Sequence, residues 1–197
     1  MEDTKLKIMI ASAECFSQNG YKKTSISDIA IKAKVAKALI FYHFDNKKNL
    51  FLTTYKYFSE EGKKILVEDL LKEPDFFKRM EKSSKIKLSF FNKSPFVYEF
   101  LVTAYQEKDP EVWQEIQEYN EKTIDRSSNM IFSGIDLTKF KSSINLNDVV
   151  QIVIWVLDGI VKNYRELSFE KIVEMLSKYI VIMKECFYKE EYRWTLL

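Results

Sequence analysis

Turn-forming residues are scarce in this chain, and that scarcity does most to limit what it can fold into. Four glycines and three prolines punctuate 197 residues. Gly20, Gly62, Gly134 and Gly159 stand far apart. A dinucleotide-binding loop needs three clustered glycines and a phosphate loop needs two before its Lys, so both are excluded. The single histidine, His43, and the two cysteines, Cys15 and Cys186, cannot build a usual zinc site, and no cofactor is expected. Two distant cysteines behind a charged, non-secretory start, Met1 to Lys7, suit a reducing cytoplasm. The longest wholly apolar run, Ile152 to Leu157, falls far short of the roughly 20 residues that span a bilayer. With 46% hydrophobic and 30% charged residues the balance is that of an ordinary globular chain, sized for one large or two small domains. The expectation is a soluble, cytoplasmic protein without membrane contact.

The apolar residues recur at helical spacing. Leu6, Met9, Ile10, Ala13 and Phe16 make one stripe, and Gly20 follows as a stop. Ser25-Ile26-Ser27-Asp28 reads as a capping box opening a short helix with Ile26, Ile29, Ala30 and Ala33 on one side. A second pattern, Val35, Leu39, Ile40 and Phe44, starts out of phase with it. Two short helices about three residues apart make Ser25 to Phe44 a helix-turn-helix candidate. Asp45-Asn46 caps a helix running from Lys47 towards Leu71, and Pro74 sits in the first turn of the next. Ser94-Pro95 and Asp109-Pro110 repeat a start signal for helices over about 95–107 and 110–132. Asn145 or Asn147 caps one over about 147–165, and Ser168 caps the last, about 169–190. No strand-like alternation appears, so the fold class is all-α with about nine helices.

Charge is distributed unevenly. Residues 1–50 hold nine Lys and five acidic groups, a net +4, while the remainder carries −2. Lys22, Lys23, Lys32, Lys34, Lys37, Lys47 and Lys48 face only Asp28 and Asp45 across 27 positions. Such a cluster attracts a polyanion, or is simply a solvated Lys-rich surface.

The stretch Gly20-Tyr21 to Ile29-Ala30, followed by Ala33-Lys34-Val35-Ala36-Lys37-Ala38-Leu39-Ile40-Phe41-Tyr42-His43-Phe44, resembles the N-terminal domain of TetR-family transcriptional regulators. The likeness covers roughly residues 5–58; Lys34, Ala36 and Ala38 depart from the family's usual Gly, Ser and Gly. It implies a three-helix DNA-binding domain over 1–48 and a helical domain over 49–197 for effector binding and dimerisation. The implied partners are a palindromic double-stranded DNA site, a second copy of the chain and a small apolar or lipophilic-cation effector. No catalytic role is implied.

A recognition helix presents its N-terminal residues to base edges. Lys37 is the long donor there, able to reach a guanine or a phosphate, and Ala38, Leu39 and Phe41 offer apolar contact to thymine methyls. By the resemblance, Tyr42 and His43 lie on the phosphate backbone. Lys47, Ser25 and Ser27 sit at helix starts where an anion is favoured. Core packing is the other reading for the aromatics and is preferred for Ile40 and Phe44.

The apolar helix around Val153, Trp155 and Gly159, together with Leu176, Ile180 and Met183 of the last helix, leaves almost no polar face and reads as a four-helix dimer interface or an intrachain core. Phe96, Phe100, Tyr105 and Trp113 supply aromatic walls for an effector cavity, or an ordinary core. Glu99 and Asp158 lie in apolar stretches and read as buried carboxylates suited to a cation. A DNA-binding dimer lacking a pocket, constitutive or controlled by a protein partner, is the alternative.

Overall fold

A computed structural model describes residues 2–164 and 167–193, without the side chains of residues 2, 65–69, 90–91, 124–131, 158, 161–162 and 169. Among the described residues there are ten α-helices, one short 3-10 helix and no strand. The first four are α1 (Glu2–Lys23), α2 (Ile26–Ala33), α3 (Lys37–Phe44) and α4 (Lys47–Leu70). Then follow α5 (Phe76–Lys93), α6 (Pro95–Tyr105), α7 (Trp113–Phe132), α8 (Leu146–Asn163), α9 (Phe169–Phe187) and α10 (Glu190–Arg193). No helix among the described residues is long and apolar enough to cross a membrane.

The helix ends follow local chemistry, with instructive departures. Gly20 takes φ 72°, ψ 174° and breaks α1, as its position after the apolar stripe predicts, but one further turn continues to Lys23. Thr24 then secures the exit by donating its hydroxyl to the carbonyl of Gly20 at 2.8 Å. Of the three prolines only Pro95 opens a helix. Pro74 lies outside α5, because the carboxylate of Asp75 accepts from the amide of Lys78 at 3.1 Å and caps the helix there. Pro110 lies in a turn in which the carbonyl of Asp109 accepts from the amides of Val112 and Trp113, so α7 begins at Trp113. Asn145, rather than Asn147, caps α8. The last helix ends at Phe187 because Tyr188 turns extended, bridges to Phe140 and donates its buried hydroxyl to Asp75 at 3.1 Å. One more turn, α10, follows.

The chain packs as two units: Met1–Lys64 with Phe91–Arg126, and Ile65–Phe90 with Ser127–Leu197. Within the first unit α6 lies along α1. The core of the first unit joins Phe16, Phe51 and Phe100, all fully buried, with Phe16 and Phe51 edge to face at 4.8 Å. Tyr21 meets Phe51 the same way at 5.0 Å. Each such ring contributes roughly 1.5–3 kcal/mol through burial. Phe100 is therefore part of this core.

In the second unit Phe76, Phe77, Phe140, Val149, Val153, Leu176, Ile180, Met183 and Tyr188 form one buried cluster. Val153, Leu176, Ile180 and Met183, expected at a dimer interface, are consumed by this core: α8 and α9 turn them onto each other and onto α5. Beside the cluster, Asp75 receives Lys139 at 2.8 Å. Arg79, also buried, donates to the carbonyls of Glu73 and Ser133 at 2.6 and 2.8 Å.

Candidate nucleic-acid interface

The helix-turn-helix rests on a capping box and a strained turn. Ser25 accepts from the amide of Asp28, while Asp28 accepts from the amide of Ser25 at 3.0 Å and from its hydroxyl at 2.7 Å. These bonds, the serine hydroxyl foremost, hold the Asp28 carboxyl below its ordinary range, and the charge of Lys37 adds to the effect. The Ser25 proton is thus already given to Asp28. Lys34, where glycine would be free, adopts the left-handed conformation at φ 53°, ψ 49°, and its amide returns to the carbonyls of Ala30 and Ile31. Such a residue costs about 1 kcal/mol relative to glycine. Ala36 precedes α3 without a side-chain cap, the cost of carrying alanine there. Asp45 ends α3 at φ 60°, and Asn46 starts α4 by accepting from the amide of Asn49 at 2.8 Å.

These turns present α3 in a definite rotation. Ile40 and Phe44 are buried, while Lys37, Ala38, Phe41 and Tyr42 are exposed, Phe41 by 47% and Tyr42 by 73%. Leu39, His43 and Ser27 are half-exposed. The exposed residues fall at i, i+3 and i+4 spacing, so Lys37, Ala38, Phe41 and Tyr42 share one side of the helix.

The seven clustered lysines divide into two groups. Lys32 is paired with Glu14, Lys48 with Glu115 at 2.6 Å, and Lys47 donates to the carbonyl of Tyr21 at 3.2 Å. Lys22, Lys23, Lys34 and Lys37 are exposed. Lys47 also lies 4.4 Å from the centroid of the Tyr21 ring. The Tyr21 amide in turn donates to Glu107 at 3.2 Å, and Glu107 accepts from the amides of its own loop, Lys108 and Asp109. Burial first, then Glu111, Asp109 and Glu107, push the Tyr21 phenol far above its usual value. The start of α4, the end of α1 and the loop before α7 are therefore tied together around Tyr21. In the sequence Tyr21 stands only as part of the Gly20-Tyr21 motif, and nothing singles out Glu107 or Glu115. Contacts separated by 86 residues leave no local signal, although the acidic run around Pro110 marks a loop with charge to place.

Residues 8–54 match the model of bacterial regulatory proteins of the tetR family. Over 50 residues the chain is 38% identical to the biofilm operon icaADBC HTH-type negative transcriptional regulator IcaR of Staphylococcus aureus (strain Newman). That match covers 25% of this chain and 27% of the relative, so it spans little more than a quarter of that protein. A longer match, 24% identical over 177 residues, joins it to the HTH-type transcriptional regulator QacR of S. aureus (strain Mu50 / ATCC 700699), with 88% of this chain and 92% of that one covered. Among solved structures, SmeT, the repressor of the Stenotrophomonas maltophilia multidrug efflux pump SmeDEF, superposes with a TM-score of 0.71. It is 14% identical, covers 94% of this chain and 91% of that one, and is a likeness of fold. Residues 8–54 are thus similar to the DNA-binding domain of the tetR family, and the fold of the whole chain is shared with solved members of it.

The other candidate residues scatter. Glu99 and Trp113 are exposed and Phe96 and Tyr105 half-buried, so Glu99 is no buried carboxylate: α6 turns it outward while Val97 and Phe100 face inward. The side chain of Asp158 lies outside the described residues. The helix expected to be buried all round has an exposed side as well, where Trp155 is 64% exposed. On α9, Tyr179, Val181 and Ile182 are exposed too. Gly159 is half-exposed, and a Cβ there would meet nothing within 4 Å.

Proposed function

We propose that this chain is a sequence-specific DNA-binding transcriptional repressor, acting in the cytoplasm as a homodimer on a palindromic operator. The observation that carries the reading is the side of α3 bearing Lys37, Ala38, Phe41 and Tyr42, exposed while Ile40 and Phe44 anchor it. Exposed Lys22, Lys23 and Lys34 add the charge that duplex phosphates attract. In this reading residues 1–48 dock on DNA, with Lys37 at a base edge and Tyr42, His43, Lys47 and Ser27 on phosphates. The remaining 49–197 pair the subunits and take the effector. Dimerisation uses the apolar side chains left outside the core, Trp155 on α8 and Tyr179, Val181 and Ile182 on α9. A small, largely apolar effector would favour a state whose recognition helices no longer match successive major grooves, about 34–36 Å apart. That last part rests on the resemblance to the tetR family.

Selection of duplexes from a random pool with the full chain is the test. Enrichment of a near-palindrome supports the reading, and a pool that stays random after repeated rounds overturns it.

A further inference from the structure

We infer that this chain reads its DNA mainly through thymine C5-methyl groups, with Phe41 as the specificity-determining residue. The inference rests on the DNA-binding reading above and names the kind of site that reading leaves open.

On α3 the exposed and half-exposed positions before Tyr42 are Lys37, Ala38, Leu39 and Phe41, with Ala36 exposed just before the helix. Only Lys37 among these carries a hydrogen-bonding group. An eight-residue surface helix normally turns polar side chains outward. This one turns out a phenyl ring and an alanine methyl, with a second alanine methyl just before it, while still burying Ile40 and Phe44. Between Lys37 and Tyr42 it is apolar on both sides.

The chemistry of the groove decides what such a face can recognise. In the major groove guanine, adenine and cytosine present hydrogen-bonding groups, whereas thymine adds the one apolar feature, its C5-methyl. Alanine and phenylalanine cannot satisfy a donor or acceptor, so placing them over G·C edges would bury polar groups unpaired. Over A·T pairs they meet methyls. Phe41 has the largest apolar surface on this side, and it lies i+3 from Ala38 and i+4 from Lys37. One thymine-rich run flanked by a single base contact of Lys37 is therefore the expected half-site. The four exposed lysines around the helix commit the occupant to a polyanion rather than to an apolar protein surface.

The experiment uses a duplex enriched from a random pool by the full chain, with each thymine replaced in turn by deoxyuridine. That exchange removes one methyl and leaves base pairing intact. Burial of one methyl, at about 0.8 kcal/mol, corresponds to about a fourfold loss of affinity. The expected result is such a loss at one or more thymines in each half-site. In Phe41→Ala that penalty should disappear at one of them. Phe41→Gln, which keeps a longer side chain but replaces the ring by a polar amide, should do the same if the alanine variant is poorly folded. A duplex bound equally well with deoxyuridine at every position overturns the inference and leaves DNA binding intact. A penalty surviving unchanged in both variants overturns the role of Phe41. A pool that never enriches fails the underlying reading instead.

Discussion

The ammonium of Lys47 donates to the carbonyl of Tyr21 at 3.2 Å and lies over the same residue's ring at 4.4 Å. One residue thus fixes the first turn of α4 through two different interactions, both directed at the point where α1 ends after its break at Gly20. An ammonium carries three protons, so two remain for a phosphate approaching that helix start. Lys47→Ala should weaken enriched and scrambled duplexes alike and reduce the salt slope by about one, as expected for a single phosphate contact. Anisotropy titrations at several salt concentrations measure both. A change confined to the enriched duplex would assign Lys47 to base reading.

The link from Tyr21 to Glu107 predicts an effect on stability. Removing a carboxylate that accepts from a partly buried amide costs about 1.5–3 kcal/mol when the bond is charge-assisted. Glu107→Ala should lower the urea midpoint accordingly, and Glu107→Gln should recover part of the loss because an amide oxygen still accepts. Equal stability of all three proteins would remove Glu107 from the account.

Asp75 sets an acid limit. Burial raises its carboxyl, but Lys139, the Lys78 amide and Tyr188 together hold it below the usual carboxylate range. A folded-state value below the unfolded one, about 3.9, means the stabilisation is complete above that pH. It is lost as pH falls through the lower folded value. Asp75→Asn should destabilise the protein at pH 7 by about 3 kcal/mol, because Lys139 loses its partner, and should flatten the acid limb of the stability curve. A variant with an unchanged limb would show that other carboxylates govern acid unfolding.

Two kinds of charge insertion separate core from interface. Val153 and Ile180 are buried within one chain. Val153→Glu should therefore abolish folding, seen as loss of the cooperative melting transition. Trp155 and Ile182 are exposed. Trp155→Glu or Ile182→Glu should leave a folded protein that sediments near 23.4 kDa, where the unaltered chain sediments at twice that mass. An unaltered chain that is monomeric at micromolar concentration contradicts the homodimer.

Much of this was legible in the residues because it is local. The Ser25–Asp28 box and the burial of Ile40 and Phe44 follow from spacing within a few positions, and the family likeness marks the turn at Lys34 and the bare cap at Ala36. What escaped was long-range partnership. Nothing near Val153 or Met183 says whether an apolar helix meets its own chain or another, and the tertiary packing of α5, α8 and α9 decided it. Glu99 misled for a related reason: an acidic residue among apolar neighbours can still point outward when the helix rotation puts Val97 and Phe100 inside. Nothing near Lys32, Lys47 and Lys48 shows that Glu14, Tyr21 and Glu115 engage them from distant parts of the chain.

The most direct test of the central claim is a salt-resolved titration of two duplexes of identical composition, one enriched from a random pool and one scrambled. The account predicts binding of the enriched duplex at least about 10³-fold tighter at physiological salt, with two chains per duplex and affinity falling steeply as salt rises. Equal affinity for both duplexes, or a tight complex indifferent to salt, would contradict it.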